Sequence, residues 1–275
     1  MRTLVHLSDL HFGRVDAALI APLTALVAEI APDVLVVSGD LTQRARSTEF
    51  IAARTFLDTL PTPQIVVPGN HDISLHNLFN RFLRPLAKFR RHITDDLEPL
   101  YIDAEIAVAG VNTARSLTIK DGRINAAQMT RLRTRLAEVP SEVIKVIVTH
   151  HPFDLPHTYD SDELVGRADA ALQAFSSCGA DLLLAGHLHA SHAGTTAARY
   201  RIEGYAALAV QAGTATSTRG RGETNSFNVI RITTQKIVIE RMAWLQEAGR
   251  FELAETSMFL REGSRWMPHA RISAI

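Results

Sequence analysis

Five short apolar runs in this 275-residue chain each end abruptly in carboxylate, amide or imidazole side chains. The runs are "TLVHL", "VLVV", "IVV", "VIKVIV" and "LLLA". Such continuous Val, Ile and Leu runs are typical of strands buried on both faces of a sheet. The polar residues that follow them are, in order, Asp9 and His11, then Asp40, then Asn70, His71 and Asp72, then His150 and His151, and finally His187 and His189. In open α/β sheets, ligands collect beyond the carboxyl ends of the strands, so we expect these five clusters to meet in one place.

Helical patterns separate most of these runs. Strands that alternate with helices predict a mixed or parallel sheet covered by helices. From about residue 205, strand-like runs follow one another without helices ("YAALAVQAG", "SFNVIRIT", "KIVIERMAW"), and we expect them to form a second sheet that completes a sandwich. The length suits one domain over residues 1–275. Within it, residues 74–103 suggest a helical insertion, and residues 261–275 suggest a C-terminal tail or an interface element.

Composition narrows the partners and the compartment. Lys plus Arg and Asp plus Glu both number 29, so the balanced charge does not favour nucleic acid or an anionic membrane. The single cysteine, Cys178, allows no intramolecular disulfide, which fits a reducing compartment. His6, Asp9 and His11 interrupt the N-terminal region where a secretion signal would be apolar. No apolar run approaches the roughly 18 residues of a membrane span. These features predict a cytoplasmic protein.

The polar clusters have the chemistry of a metal site. Carboxylate, amide oxygen and imidazole without thiolate suit Mn²⁺, Fe, Zn²⁺ or a mixture of these ions. Seven candidate ligands are too many for one ion with open positions, but they fit two ions that share a bridging carboxylate. Two such ions, about 3.5–4 Å apart, clamp the attacking and leaving oxygens in phosphoryl hydrolysis. Gly39, Gly69 and Gly186 would let the backbone approach such a site closely.

The ordered series "DLH", "GD", "GNHD", "HH" and "GHLH" resembles the signature of the calcineurin-like metallophosphoesterases, over about two thirds of the chain. This resemblance implies a four-layer α/β/β/α sandwich of two mixed sheets flanked by helices. It also implies two divalent or mixed-valence metal ions. Asp40 would bridge them, and His71 would face the substrate as an acid or phosphate-binding group. The first ion would take Asp9, His11, Asp40 and His189, and the second would take Asp40, Asn70, His150 and His187. His150, rather than His151, matches the ligand position.

The stretches "SDLHFG", "GDLT" and "HHPF" are most similar to the bacterial cyclic-nucleotide phosphodiesterase branch of that superfamily. This similarity implies that a metal-bridging hydroxide hydrolyses a small phosphodiester such as cyclic AMP. Glycerophosphodiesters, lipid pyrophosphates, dinucleoside polyphosphates and nucleic acids are alternative substrates, and a non-catalytic scaffold is a further alternative. The resemblance also makes a homodimer plausible. Arg219 and Arg221 either contact a phosphate or base or belong to a solvated loop.

Overall fold

Two β-sheets pack face to face in the computed structural model, which describes residues 1–74, 83–115, 121–155, 163–219 and 222–274. In chain order the strands are β1 (Arg2–Leu7), β2 (Val34–Val37), β3 (Gln64–Val66), β4 (Leu100–Ile102), β5 (Ile106–Gly110), β6 (Ile144–Val148), β7 (Leu182–Ala185), β8 (His192–Thr195), β9 (Leu208–Gln211), β10 (Ser226–Ile232), β11 (Lys236–Leu245), β12 (Arg250–Glu262) and β13 (Arg265–Ser273). The helices are α1 (Ala17–Ile30), α2 (Ser47–Leu57), α3 (Ala87–His92), α4 (Ala126–Ala137) and α5 (Ala168–Ser177).

The first sheet has the strand order β13-β12-β11-β10-β1-β2-β3, and the second has the order β4-β5-β6-β7-β9-β8. Strands β1, β2 and β3 run parallel to one another, as do β5, β6, β7 and β9. The C-terminal strands β10 to β13 are antiparallel, and β10 pairs with β1. Our expectation that the late strand runs together build the second sheet is therefore wrong for β10 and β11, which extend the first sheet, whereas β9 does lie in the second sheet beside β7.

Apolar side chains on both faces of each sheet create three layers of core. Between the sheets lies a cluster that includes Val36, Val146 and Leu184. On the outer face of the first sheet, Leu23 of α1 and Phe50 of α2 join the core. The outer face of the second sheet packs in the same way against α4 and α5. This arrangement confirms the predicted four-layer α/β/β/α sandwich of two mixed sheets.

The two segments that the sequence set apart have different outcomes. Of residues 261–275, nine form β13 at the edge of the first sheet, and a role of this segment as an interface element stays a prediction. Trp266 anchors this strand: it is 1% exposed, and its Nε1 donates to Asp181 at 3.0 Å. Of residues 74–103, those numbered 75–82 lie outside the described residues. The remainder contains α3 and β4, so a helical insertion stays a prediction.

Membrane insertion by a helix finds no support in the described part of the chain. None of the helices there combines the length and the apolar character that a span requires.

Candidate metal centre

The polar clusters that follow β1, β2, β3, β6 and β7 converge where the two sheets meet. Their backbone is unusual: five of the seven predicted ligands have left-handed φ angles of 52° at Asp9, 49° at His11, 52° at Asp40, 73° at His187 and 58° at His189. A residue other than glycine pays about 1–3 kcal/mol for such a conformation, which persists where a functional site requires it. The glycine prediction is also confirmed, because a Cβ at Gly39, Gly69 or Gly186 would collide with residues of this centre.

One set of four candidate ligands is centred on the carboxylate of Asp9. His189 Nε2 lies 3.2 Å from Asp9 Oδ1, and the two imidazole nitrogens His11 Nε2 and His189 Nε2 are 3.1 Å apart. Asp40 completes the set, with its Oδ2 3.8 Å from His11 Nε2. Asp9 Oδ1 is buried and has no hydrogen-bond partner among the described residues. Since a buried, unpartnered carboxylate oxygen is costly, this atom fits a cation at the centre of the set.

A second set lies on the other side of Asp40. Asn70 Oδ1 is 3.0 Å from His150 Nε2 and 3.2 Å from His187 Nδ1. His150 Nε2 is in turn 3.4 Å from Asp40 Oδ1. The two carboxylate oxygens of Asp40 therefore face different sets, as a bridging ligand requires. The seven residues named from the sequence thus come together, although their roles as ligands stay a prediction.

The outer nitrogens of three histidines have acceptors that fix how the rings are oriented. His150 Nδ1 bonds the carbonyl of Ser38 at 2.8 Å, and His189 Nδ1 bonds the carbonyl of Arg219 at 2.8 Å. The Nε2 of His187 lies 3.5 Å from a carboxylate oxygen of Glu163. Such acceptors leave the inner nitrogen with a free lone pair, as in protein metal sites. The N/O donor set and its outer partners therefore fit Mn, Fe or Zn.

The loops that present Asp40 and Asn70 are tied together by Asp72. Its Oδ1 accepts hydrogen bonds from the amide and hydroxyl of Thr42, both at 2.9 Å. Its Oδ2 accepts from the amides of Gly69 at 2.9 Å and Leu41 at 3.2 Å. Burial and the nearby charge of Asp40 raise the pKa of Asp72 to about 6. This carboxylate therefore joins the loop after β2 to the loop after β3.

Neighbouring charges and burial shift the pKa values of the histidines in this centre in opposite directions. Burial lowers the pKa of His150, but the charges of Asp40 and Asp9 outweigh it and raise this pKa to about 9. Burial also lowers the pKa of His189, but the charge of Asp9 outweighs it and this pKa is raised. For His11 and His187, burial dominates and the pKa is lowered. Cations would compete with protons for these imidazoles, because a nitrogen that binds a metal must be unprotonated.

His71 stands beside the first set, with its ring edge-on to His11 at a centroid distance of 5.0 Å. Its Nδ1 bonds the carbonyl of Gln43 at 2.9 Å, and its Nε2 lies 3.0 Å from Nη1 of Arg219. Arg219 thus contacts the centre, whereas Arg221 lies outside the described residues.

His151 also lies close to the second set, and its ring centroid is 4.6 Å from that of His187. Its Nδ1 is 2.8 Å from the Thr113 hydroxyl, and Gly122 packs directly against its ring. These contacts favour His150 as the ligand, since His150 Nε2 is turned towards Asn70 and Asp40.

Of two further residues at this centre, the sequence contains no sign of one and leaves the role of the other undecided. Glu163 lies between β6 and α5 in a part of the sequence without any motif, and no signal in the sequence could have paired it with His187. Arg219 was noticed as a basic residue, but its position next to His71 depends on the path of the chain between β9 and β10.

Two neighbouring N/O ligand sets at the strand ends of an α/β/β/α sandwich define a candidate binuclear metal centre. A model of the calcineurin-like phosphoesterase family matches residues 2–191. The chain therefore belongs to the calcineurin-like phosphoesterases, a family of metal-dependent hydrolases, and the resemblance noted in the sequence is confirmed.

Comparisons with individual proteins agree with this assignment. The glycerophosphodiester phosphodiesterase GpdQ of Enterobacter lignolyticus is 33% identical over 126 residues, which cover 38% of this chain and 44% of that protein. The match thus spans less than half of that relative.

Two solved structures share the fold. A purple acid phosphatase, PPD1, from yellow lupin seeds has a TM-score of 0.69 at 11% identity, covering 94% of this chain and 53% of its own. A dimetal phosphatase from Danio rerio has a TM-score of 0.65 at 13% identity, covering 88% of this chain and 96% of its own. At these identities the two structures support the fold alone.

Proposed function

We propose that this protein is a binuclear metal-dependent phosphodiesterase. The observation that carries the proposal is the position of Asp40, whose two oxygens face His11 on one side and His150 on the other. A carboxylate shared between two N/O sets is what two adjacent cations require. The full set of ligands also supports an enzyme over a scaffold, because a scaffold has no need to keep them.

The residues would divide the work as follows. Asp9, His11 and His189 would hold one cation, Asn70, His150 and His187 the other, and Asp40 both. When bound, the cations would polarise the phosphoryl group and lower the pKa of a bound water. His71 lies next to the first set and is our candidate for the histidine that faces the substrate. A protein nucleophile is not required, and the chain's only cysteine, Cys178, is buried near the end of α5.

The proposed substrate is a small phosphodiester, with 3′,5′-cyclic nucleotides such as cyclic AMP as the first candidate because of the "SDLHFG", "GDLT" and "HHPF" stretches. A glycerophosphodiester is the second candidate, and the similarity to a glycerophosphodiester phosphodiesterase favours it. One hydrolysis panel separates them: Mn²⁺-reconstituted protein with cyclic AMP, a glycerophosphodiester, a dinucleoside polyphosphate and single-stranded DNA. Preferred turnover of one of the first two selects between the candidates. Hydrolysis of DNA alone would contradict both.

Asp40→Ala tests the bridging role. We expect wild-type protein to retain two Mn²⁺ per chain after desalting and the variant to retain at most one, with turnover lost. Asp58→Ala is a suitable control, since that carboxylate is exposed and pairs only with Arg54 among the described residues. Two ions and normal turnover in Asp40→Ala would show that the assignment of the bridge is wrong. His71→Ala should keep both ions and lower turnover, and loss of an ion would instead make His71 a ligand.

A further inference from the structure

Arg219 places a cation next to the candidate metal centre. Its Nη1 lies 3.0 Å from Nε2 of His71, whose ring packs against His11. Its side chain is half-buried, and within the described part of the chain no carboxylate lies within ion-pair distance of its guanidinium. A cation that has no acidic partner and faces a phosphoesterase centre is available to bind an anion.

The hydrogen bonds of His71 assign the direction of its contact with Arg219. His71 Nδ1 faces the carbonyl of Gln43 at 2.9 Å, and a carbonyl can only accept, so Nδ1 is the donor. The other nitrogen, Nε2, faces a guanidinium, which can only donate, so Nε2 is the acceptor. His71 therefore orients Arg219 and uses one of the five N–H groups of the guanidinium. The remaining four are free of His71 and can serve another acceptor.

The main chain holds Arg219 at this position independently of its side chain. Its carbonyl accepts from Nδ1 of His189 at 2.8 Å, and its amide donates to the hydroxyl of Ser217 at 3.1 Å. The preceding residue, Thr218, donates its amide to the carbonyl of Arg14 at 2.9 Å. Since these bonds involve backbone atoms of Arg219, a change in its side chain should leave His189 in place.

We propose that Arg219 binds the non-bridging oxygens of the phosphoryl group, and that His71 is the positioning residue that aims it. This inference rests on the proposed function of the same centre. The planar guanidinium matches two phosphoryl oxygens in a bidentate contact. Negative charge on these oxygens grows as water attacks phosphorus, so the contact strengthens in the transition state. The group that accepts hydrogen bonds from Arg219 would be the phosphodiester of the substrate, and inorganic phosphate would occupy the same position.

Arg219→Gln provides the test, with inorganic phosphate as the probe and Mn²⁺-reconstituted protein as the sample. Calorimetry should show that the variant binds phosphate about 10- to 100-fold more weakly than wild type, the effect of losing hydrogen bonds from a charged donor. The metal content should stay at two ions per chain. Arg250→Ala, which removes an exposed guanidinium on β12, should bind phosphate as wild type does. His71→Ala should also weaken phosphate binding, and adding Arg219→Gln to it should weaken binding little further, because the two residues act as one unit.

Each outcome decides the proposal. Unchanged phosphate affinity in Arg219→Gln with both ions present overturns it. Loss of an ion also overturns it, because the role of Arg219 would then be to support His189. The measurement needs no turnover, so it remains informative if the protein hydrolyses none of the phosphodiesters in the panel. In that case the proposed function fails, while phosphate binding still decides the role of Arg219.

Discussion

Gly186 lies at a contact between the sheets where even one methyl group has no room. It follows β7, and its amide donates to the carbonyl of His150 at 3.0 Å. A Cβ at this position would overlap the hydroxyl of Ser8 and lie 2.6 Å from Asp9 Oδ2. Asp9 Oδ2 already accepts hydrogen bonds from the Ser8 hydroxyl at 2.7 Å and from the His187 amide at 3.0 Å. Gly186→Ala must therefore displace Asp9 or the strand end.

The magnitude follows from these contacts. Extra volume in a packed core costs about 1–3 kcal/mol. Loss of the hydrogen bond from the His187 amide to the Asp9 carboxylate adds about 1.5–3 kcal/mol, because the acceptor is charged. We therefore expect Gly186→Ala to lower the free energy of unfolding by about 2.5–6 kcal/mol, a large share of the total stability of a domain. Asp9 would also leave the first ligand set, so that set should lose its metal.

Urea denaturation of metal-free protein measures the first effect, and elemental analysis after Mn²⁺ loading measures the second. Gly204→Ala is the matched control, because a Cβ there meets nothing within 4 Å and only its φ of +71° is unfavourable. That control should cost about 1–2 kcal/mol, the strain of a left-handed residue, and should keep both ions. If Gly186→Ala matches Gly204→Ala in stability and retains two ions, the close approach of β7 to Asp9 does not constrain the centre.

Three further predictions concern other parts of the molecule. A proton competes with the second cation for His150, because the pKa of this histidine is raised to about 9. Metal affinity at the second set should therefore rise about tenfold per pH unit from pH 7 to 9 and then level off. Chelator competition measures this affinity, and a profile that is flat with pH would contradict the prediction. Glu163→Gln should weaken binding of the second cation about 10- to 100-fold, because the Glu163 carboxylate orients His187. Unchanged affinity in the same competition assay would exclude that role. In urea denaturation, Trp266→Ala should cost about 3–5 kcal/mol, whereas Ile272→Ala, 62% exposed on the same strand, should cost less than about 1 kcal/mol; equal costs would mean that β13 is not anchored.

The strands that lead into the candidate ligands could be predicted from the sequence because each is short, largely apolar and followed within a few residues by polar side chains. Strand β2 illustrates this, since all of its residues from Val34 to Val37 are buried. Strand β13 could not be predicted in the same way. Only Trp266 is buried in it, and the strand contains Pro268, a residue that is tolerated at a sheet edge. An edge strand with one buried anchor has no periodic apolar signal to recognise.

The assignment of late strands to a sheet failed for a related reason. A run such as β10 shows that a strand is present but not which partner it takes. Here β10 lies antiparallel to β1 with the register of Val229 opposite Val5, a pairing between residues far apart in the chain. Tertiary contacts of this kind also place Glu163 and Arg219 at the centre. The convergence of the seven candidate ligands could be predicted because residue type and strand position both indicated it.

The candidate ligand sets are divided between the sheets, and this division would link metal binding to the fold. Asp9, His11, Asp40 and Asn70 come from the first sheet, whereas His150, His187 and His189 come from the second. Each set contains residues from both sheets, so neither sheet can complete a site alone. A cation in either set would hold the two sheets together at their carboxyl ends, and strain at the left-handed ligands would be offset by that binding. Under the proposed function, the cations that act on phosphorus would therefore also form part of the contact between the layers.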